Sequence, residues 1–390
     1  MTAASQSASD RRPLIAHIVF RFDFGGLENG VVNLINFLPP ERFRHAVIAL
    51  TQASGFQARL ARPDIQVHAL DKRPGKDPRA YLRLFRLLRA LRPAIVHTRN
   101  FATLDCMPVA RLAGVPRGIH GEHGWDVFDP DGTRRRYRVV RRLLNPMIDR
   151  FVAVSREIEQ WLTGTVGIRP AKVVRICNGV DTRRFAPAGS ATRVLVPPPW
   201  REPGTVVIGT VARMAAIKDP LNLVRAFIAL RSAPEGRAAR LLFVGDGDLK
   251  SAAEQLLREA GALEAAWLPG SRDDVPQLLR EMDVFALGSR REGISNTVLE
   301  AMASGLPVVA TATGGNLELV RDGEAGRLVP PGDAAALAAA LLAYVTDPQL
   351  RGAHGRRARQ LAEHEYSLRT MVDAYAALYS QYTAPLQETA

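Results

Sequence analysis

Two glutamates stand eight positions apart in the stretch SRREGISNTVLEAMASGLPVVAT, and their surroundings suggest a shared ligand. Glu292 precedes a helix-like run and Glu300 falls inside it, with Ser295 or Asn296 placed to cap the helix. One unbroken helix would not align side chains at this spacing, so the chain must bend for both acids to face one crevice. Carboxylates accept hydrogen bonds from vicinal hydroxyl groups. The pair therefore predicts a polyol site, such as one for a sugar ring and a ribose.

Two other loops between predicted strands and helices carry residue types that suit anions. Arg213 and Lys218 are five residues apart after a predicted strand, and two cations at this spacing can clamp a diphosphate. Gly25 and Gly26 lie before a predicted helix, whose N-terminus attracts anions. The pattern is not G-x-G-x-x-G, which excludes the dinucleotide-binding fingerprint. A tight turn is the structural alternative for the two glycines.

Two D-x-D triplets, Asp129-Pro-Asp131 and Asp246-Gly-Asp248, raise the question of a metal ion, because paired carboxylates bind divalent cations. The second triplet follows a predicted strand and precedes a predicted helix, so a turn with an N-cap accounts for it. Three-residue patterns of this kind also arise often by chance. We therefore predict no metal and no cofactor.

Short apolar runs alternate with helix-like stretches along almost the whole chain, which predicts parallel sheets covered by helices. The predicted strands are residues 14–20, 45–50, 65–70, 94–98, 117–120 and 151–155, followed by 205–213, 240–245, 265–270, 283–288 and 307–311. Doubly wound sheets of this kind bind ligands beyond the carboxyl ends of their strands. The fold class expected is α/β, with two doubly wound domains and a ligand in the cleft between them.

The domain boundaries follow from the same reading. Residues 1–13 are expected to be a flexible N-terminus, and 14–186 form the first Rossmann-like domain. The stretch 187–204 is rich in proline, glycine and small residues and is predicted to be a linker. Residues 205–366 then form the second domain.

Composition sets the class of protein and its compartment. The chain has 390 residues, 47% of them hydrophobic and 23% charged, which is typical of a globular protein. No apolar run reaches the length of a membrane span, and the N-terminus lacks the pattern of a signal peptide, so we expect a cytoplasmic protein. The net charge of +13 predicts an anionic partner: phosphate, nucleic acid or a membrane surface.

Two arginine-rich stretches, 81–92 and 134–144, account for much of the basic excess in the first domain. Basic amphipathic helices can rest on an anionic membrane, so we expect reversible contact of these helices with such a surface. A solvated arginine face is the alternative. Nucleic-acid binding is the competing class, but the few aromatic residues of the basic stretches do not form interleaved stacking positions and no motif for RNA or DNA is present. We therefore predict no nucleic-acid partner.

These motifs together carry a resemblance to a known family. EGISNTVLEAMASGLPVVATATGG at 292–315, preceded by R-x4-K, resembles the retaining glycosyltransferases of family four. The N-terminal GGLENGVVNL, GEHG at 121–124 and NGVD at 178–181 are similar to the same family, and the likeness covers about 14–382. More narrowly, RFDFGGLENGVVNLINFLPPERFRH and GEHGWDVFDPDG resemble the sugar transferases associated with exosortase (PEP-CTERM) exopolysaccharide loci.

The resemblance implies the GT-B architecture, in which an acceptor-side domain and a donor domain face a central cleft. It also implies that a C-terminal helix at 367–382 packs back on the N-terminal domain. Arg213 and Lys218 would bind the donor diphosphate, with Gly25 and Gly26 closing on it. Cations and helix N-termini of this kind can stabilise a leaving group without a metal.

The resemblance also assigns the sugar-binding groups. The donor sugar and ribose would be held by residues of one loop and helix: Glu292, the backbone of Gly293, Ile294 and Ser295, and Glu300. His123 would lie near the anomeric centre, so His123 and Glu292 are the catalytic residues that it implies.

The implied reaction is retaining transfer of a sugar from a UDP- or GDP-linked donor to a glycan acceptor, expected to be lipid-linked, in exopolysaccharide or surface-glycan biosynthesis. The enzyme would work in the cytoplasm, with peripheral binding expected at the inner face of the cytoplasmic membrane. A nucleotide-sugar epimerase or a phosphorylase shares the architecture and is the alternative. A basic nucleic-acid-binding protein is the alternative from a different class.

Overall fold

A computed structural model of the chain describes residues 10–23, 25–125, 128–129, 131–189 and 194–383. Within these residues the chain forms two compact units. Unit 1 comprises the chain up to Cys177 together with the residues from Met371 onwards, and unit 2 comprises Asn178–Thr370. Most of the segment predicted to be flexible, 1–13, lies outside the described residues.

Unit 1 is built on a seven-stranded parallel sheet. Its strands are β1 (Leu14–Val19), β2 (Arg44–Ala49), β3 (Gln66–Ala69), β4 (Ile95–Arg99), β5 (Arg117–Glu122), β6 (Arg150–Ala153) and β7 (Val173–Arg175). Their order across the sheet is β3-β2-β1-β4-β5-β6-β7. The central strands β1 and β4, with the sequences LIAHIV and IVHTR, are buried along their whole length. Such burial is expected of parallel strands covered by helices on both faces.

Helices connect these strands. They are α1 (Gly26–Phe37), α2 (Pro78–Leu91), α3 (Cys106–Leu112), α4 (Arg135–Leu144) and α5 (Arg156–Gln160), and α5 continues into a π-helical turn at Trp161–Val166. The carboxylate of Asp77 caps α2 by accepting a hydrogen bond from the N–H of Ala80, and proline occupies its first position. α2 buries Leu84 and Leu88, which leaves its arginines facing outwards.

Unit 2 contains a six-stranded parallel sheet. Its strands are β8 (Val206–Val211), β9 (Ala239–Val244), β10 (Ala266–Gly270), β11 (Val284–Leu287), β12 (Val308–Thr311) and β13 (Gly326–Val329), in the order β10-β9-β8-β11-β12-β13. The helices are α6 (Pro220–Ser232), α7 (Lys250–Glu259), α8 (Val275–Arg280), α9 (Asn296–Ala303), α10 (Asn316–Leu319), α11 (Ala334–Thr346) and α12 (Pro348–His364). Apolar residues of the sheet and of α6 and α11 share one core, which includes Ile208, Phe227 and Leu341.

The last helix, α13 (Leu368–Thr383), contributes to unit 1 from Met371 onwards. Its Tyr379 is fully buried and lies 2.8 Å, through its hydroxyl, from the Nδ1 of His97 on β4. The same ring packs edge-on against Phe43. These contacts attach the C-terminal helix to the core of unit 1.

The predicted fold class of two doubly wound parallel sheets is confirmed. Two strands, β7 and β13, were not predicted because each has only three or four residues and includes an arginine. The boundary between the units falls after Cys177 and not after residue 186, and the described part of the predicted linker 187–204 belongs to unit 2. There Trp200 is buried, and the carboxylate of Glu281 accepts hydrogen bonds from three consecutive backbone N–H groups at 194–196.

No helix in the described part of the chain combines the length and the apolar composition that crossing a membrane requires.

Candidate active site

Glu292 lies in the loop after β11, at the carboxyl end of the sheet of unit 2, and is only 6% exposed. Its Oε1 accepts hydrogen bonds from the Nζ of Lys218 and from the Oγ of Ser289, both at 2.6 Å. Such charge-assisted bonds offset the cost of burying a carboxylate. Lys218 and Glu292, which the sequence assigned to the diphosphate and to the sugar, are therefore in contact with each other. Ser289 was not predicted, and its position directly after a buried strand was the available signal.

Two glycines after β12 fix the backbone of the Glu292 loop. A side chain at Gly314 would overlap the carbonyl oxygen of Glu292, and one at Gly315 would overlap that of Gly293. Gly314 also has a φ of +54°, a left-handed value that favours glycine. The N–H of Gly315 donates to the carbonyl of Gly293 at 2.9 Å, and the buried side chain of Ile294 packs on the same turn. The G-G pair is thus required for two loops to approach closely.

Helix α9 begins between the two glutamates in the sequence. The Oγ of Ser295 accepts a hydrogen bond from the N–H of Val298 at 3.4 Å, which makes Ser295 the N-cap. Glu300 lies within α9 and is partly exposed. Glu292 therefore precedes the helix and Glu300 belongs to it, so the bend expected from their spacing is present.

Arg213 follows β8 and presents an exposed side chain, which has no polar partner among the described residues. The backbone beside it is held firmly. Met214 is fully buried, its N–H donates to the carbonyl of Asp246 at 2.8 Å, and its carbonyl accepts from Leu249 at 3.0 Å. A cation on a fixed backbone, with its guanidinium in solvent, is well placed to receive an anionic ligand.

The Asp246-Gly-Asp248 triplet supports this loop. The carboxylate of Asp246 accepts a hydrogen bond from the N–H of Gly247 at 2.8 Å, and a side chain at Gly247 would overlap the carbonyl of Met214. The predicted turn is therefore present. The predicted N-cap is wrong, because α7 begins only at Lys250 and no side chain caps it.

The other triplet also has a structural role. Asp129 is buried, and its carboxylate accepts a hydrogen bond from the N–H of Arg134 at 3.0 Å. Its carbonyl accepts one from Gly132 at 3.1 Å. Residue 130 lies outside the described residues. In the parts of the chain that the structure describes, no three His, Cys, Asp or Glu side chains are grouped as metal ligands.

In unit 1, Gly25 is the N-cap of α1 and adopts an extended conformation. A side chain at Gly25 would overlap the carboxylate of Glu28, which folds back from the third position of the same helix. Burial raises the pKa of the Glu28 carboxyl. An external anion at this helix N-terminus would have to displace an internal one, and the role of Gly25 and Gly26 in donor binding stays a prediction.

His123 immediately follows β5, and its N–H donates to the Oδ1 of Asn100 at 2.7 Å. Its imidazole lies over Gly121, where any side chain would meet the rings of His123 and His97. The Nε2 is buried and has no hydrogen-bond partner among the described residues. Burial, followed by the charge of Arg99, lowers the pKa of His123 to about 3. The imidazole is therefore neutral near pH 7.

Besides His120, the sheet of unit 1 buries three further histidines, His17, His45 and His97, which were not predicted as a group. The Nε2 of His17 lies 3.0 Å from the Nδ1 of His45. The Nη2 of Arg99 lies 3.1 Å from the Nδ1 of His17 and 3.4 Å from that of His97. Burial lowers the pKa of all three histidines. The recurrence of histidine inside apolar strand sequences was the available signal.

Arg141 of α4 corrects one expectation about the arginine-rich stretches, because it is only 2% exposed and cannot contact a membrane. Its guanidinium binds both carboxylate oxygens of Glu122, at 2.6 and 3.1 Å. It also lies 4.8 Å from the ring centre of Phe101 and 4.9 Å from that of Trp161. Burial alone would raise the pKa of Glu122, but the charge of Arg141 and hydrogen bonds to it lower that pKa to about 2.

Comparison with known proteins identifies the family. The family described as Glycosyltransferase Family 4 matches residues 24–184, and that described as Glycosyl transferases group 1 matches 205–347. The GDP-mannose-dependent alpha-mannosyltransferase of Mycobacterium tuberculosis is 30% identical over 328 residues, which cover 79% of this chain and 81% of that protein. The chain belongs to the group 1 glycosyltransferases of family four, as its motifs predicted.

Two further proteins show the same likeness. The UDP-Gal:alpha-D-GlcNAc-diphosphoundecaprenol alpha-1,3-galactosyltransferase of Escherichia coli is 28% identical over 314 residues, covering 78% of this chain and 79% of that one. The crystal structure of a glycosyltransferase from Rickettsia africae superimposes with a TM-score of 0.81 at 21% identity, covering 97% of this chain and 100% of that one. The fold is therefore that of GT-B glycosyltransferases. The narrower likeness to exosortase-associated transferases stays a prediction.

Proposed function

We propose that this glycosyltransferase transfers a sugar, with retention of configuration, from a UDP- or GDP-linked donor to a lipid-linked glycan acceptor in exopolysaccharide or surface-glycan biosynthesis. The observation that carries the proposal is that Lys218 and Ser289 both donate hydrogen bonds to the buried Glu292, while the loop of Lys218 also carries the exposed Arg213. The two relatives named for UDP-Gal and GDP-mannose support a nucleotide diphosphate as the leaving group.

In the proposed reaction the bond from the anomeric carbon to the diphosphate breaks. The oxygen of an acceptor hydroxyl bonds to the same face of that carbon, and the hydroxyl proton passes to the departing phosphate. Arg213 and Lys218 stabilise the negative charge that develops on the diphosphate. An ammonium group has three donors, so Lys218 can bind phosphate while it keeps its hydrogen bond to Glu292.

The proposed sugar contacts follow from the groups that the Glu292 loop presents, and the proposed ribose contact follows from the family resemblance. The side chain of Ile294 is buried and the hydroxyl of Ser295 caps α9, so this part of the loop offers backbone groups from Gly293 onwards. The second oxygen of Glu292 is proposed to bind a sugar hydroxyl, and Glu300 to bind the ribose. His123 is the proposed contribution of unit 1 near the anomeric carbon.

No metal is included in the proposal, because cations of the protein supply the charge on the leaving group. Transfer is therefore expected to continue in EDTA at the rate measured without it. Loss of activity in EDTA, with recovery on adding Mn²⁺ or Mg²⁺, would show that an ion takes part.

We also propose a cytoplasmic enzyme held reversibly at the inner face of the membrane, where a lipid-linked acceptor is found. Support comes from α2, on which Arg79, Arg86 and Arg89 are exposed beside Leu82, itself 48% exposed. Arginines around an apolar side chain suit an anionic lipid surface. α4 contributes less than expected because Arg141 is buried and Arg142 binds backbone carbonyls of the π-helical turn.

A panel of nucleotide sugars tests the function. The true donor should raise the unfolding temperature, since a ligand that binds only the folded state stabilises it. With that donor and an undecaprenyl-diphosphate-linked sugar as acceptor, the product should be an extended lipid-linked glycan. An epimerised donor would indicate an epimerase, and a free sugar phosphate would indicate a phosphorylase. Either result would replace the proposal.

A further inference from the structure

Asn100, the residue directly after β4, has an unusual backbone conformation. Its φ is +58° and its ψ is 168°, in a region that is used almost only by glycine. Two other non-glycine residues with positive φ, Arg92 and Asp219, lie in the left-handed helical region, where side chains are better tolerated. A conformation such as that of Asn100 persists only when its surroundings hold it there.

The hydrogen bonds around Asn100 supply that restraint. Its N–H donates to the carbonyl of Gly121 at 2.7 Å, and its carbonyl accepts from the N–H of Thr103 at 3.2 Å. The Oγ1 of Thr103 in turn accepts from the N–H of Arg99 at 2.7 Å. The backbone on both sides of Asn100 is thus fixed to β5 and to the following turn.

This conformation aims the side chain of Asn100 at the loop after β5. Its Oδ1 accepts the backbone N–H of His123 at 2.7 Å, a short and direct hydrogen bond. Among the described residues, the main chain of His123 makes no other hydrogen bond, and Glu122 before it is held separately by Arg141. The position of the His123 backbone is therefore set by one side chain of the neighbouring strand end.

We infer that Asn100 is a positioning residue for His123 in glycosyl transfer, an inference that rests on the proposed function. Strain at Asn100 is retained because it places an acceptor where the N–H of His123 needs one. If Asn100 served only the fold, its substitution by glycine would be expected to leave the activity unchanged. A misplaced reacting group costs activity steeply, so the two explanations predict different results.

Three substitutions separate these explanations. N100G suits the observed φ and ψ but removes the acceptor, whereas N100D keeps an acceptor oxygen and is a residue that tolerates positive φ. H123A removes the imidazole itself. We expect N100G to unfold at the same or a higher temperature than the wild type, with kcat reduced about 10- to 100-fold. N100D should recover most of that loss.

The Michaelis constant for the donor should change little in N100G, because most of the proposed donor groups lie in unit 2. In the double variant N100G/H123A, kcat should be no lower than in H123A alone, since both changes act through one group. If the losses in kcat of N100G and H123A instead multiply in the double variant, Asn100 does not act through His123. That result would overturn the inference.

Other outcomes are also decisive. Wild-type kcat in N100G, with H123A impaired, would overturn the positioning role and leave the proposed function intact. An N100G protein that fails to fold while N100D folds would show that the hydrogen bond serves the fold alone. Wild-type kcat in H123A would overturn the role of His123 and this inference together. Absence of transfer by the wild type with every donor and acceptor would instead overturn the proposed function.

Discussion

The loops at the carboxyl ends of the two sheets handle charge differently. In unit 2, Arg213 is exposed and the side chain of Lys218 is 25% exposed, so cations face solvent beside a buried acid. In unit 1, Arg99 is 3% exposed and is surrounded by imidazoles whose pKa values are lowered. One set of loops keeps its cations available, and the other encloses its cation among neutral groups.

The difference suits the division of work that we propose for the two units. A diphosphate carries charge and needs accessible cations, whereas a hydroxyl acceptor and a neutral sugar need an uncharged, well-fixed surface. Unit 1 obtains its fixed surface by burying polar groups in hydrogen-bonded networks. Such networks are stabilising only while every member keeps its partner and its protonation state. Unit 1 should therefore be the more sensitive half to pH and to loss of a single polar group.

Acidification should give the largest effect, which is a loss of stability of the folded chain. The pKa values of His45 and His123 are about 3 in the folded chain, against about 6.5 in an unfolded one. Between these values the unfolded state binds more protons, so stability falls as pH decreases. From pH 7 to pH 5 each such histidine should cost about 2 kcal/mol. Unfolding temperatures measured from pH 7 to pH 5 should show a steep decline.

Two variants make that measurement specific. H45Q removes one buried titrating group and should flatten the decline, whereas H364Q, at the exposed C-terminal turn of α12 in unit 2, should not. Equal slopes for wild type and H45Q would show that the acid sensitivity arises elsewhere.

Breaking the Arg141–Glu122 pair should give the next largest effect. R141Q leaves a buried carboxylate without its cation, and such a loss typically costs about 3–5 kcal/mol. Denaturation followed by tryptophan fluorescence should detect it, since Trp161 contacts the guanidinium. R135Q, an exposed position on the same helix, is the matched control and should change stability by no more than about 0.5 kcal/mol. Similar curves for both variants would argue against a structural role for Arg141.

Substitution of the glutamates in unit 2 tests the other half of the comparison. E292Q and E300Q should each weaken transfer by about 10- to 150-fold, corresponding to one charge-assisted hydrogen bond, while the fold persists. K218A and E292A should combine non-additively, because the two side chains are in contact. Steady-state kinetics with the identified donor would measure both effects. Unchanged kinetics in E292Q and E300Q would remove these residues from the site.

Membrane contact should show the smallest effect for each residue. Each arginine near an anionic leaflet contributes about 1 kcal/mol at low salt, so the triple variant R79Q/R86Q/R89Q should bind vesicles of phosphatidylglycerol more weakly. The variant R237Q/R258Q/R356Q removes three exposed arginines from unit 2 and should bind like the wild type. Sedimentation with vesicles at two salt concentrations measures the difference. Equal loss in both variants would indicate that net charge alone is responsible.

The fold could be predicted from the sequence because the alternation of apolar strands with helices is strong in both halves. It also placed Lys218 and Glu292 in loops at strand ends, since that position depends only on chain order. It did not show that they contact each other, because the contact depends on how the loops after β8 and β11 pack. Strand pairing between β8 and β11, which are far apart in sequence, brings these loops together.

The buried polar groups of unit 1 could not be predicted from the sequence, for a related reason. His17, His97 and Tyr379 come from three distant segments, and only the fold reveals that they share a core. Arg141 sits in a run of arginines that resembles a solvated face. Its burial depends on Phe101 and Glu122 from other elements, so composition alone could not distinguish it from its neighbours.

The contribution of α13 to unit 1 has a consequence for how the gene can be divided. A fragment ending at Cys177 would leave Phe43 and His97 without the ring of Tyr379, which comes from the opposite end of the chain. Such a fragment should be incomplete when expressed alone, yet a separate peptide spanning α13 should restore it. The fragment and the α13 peptide would then reassemble when mixed, as the two parts of a split-protein reporter do.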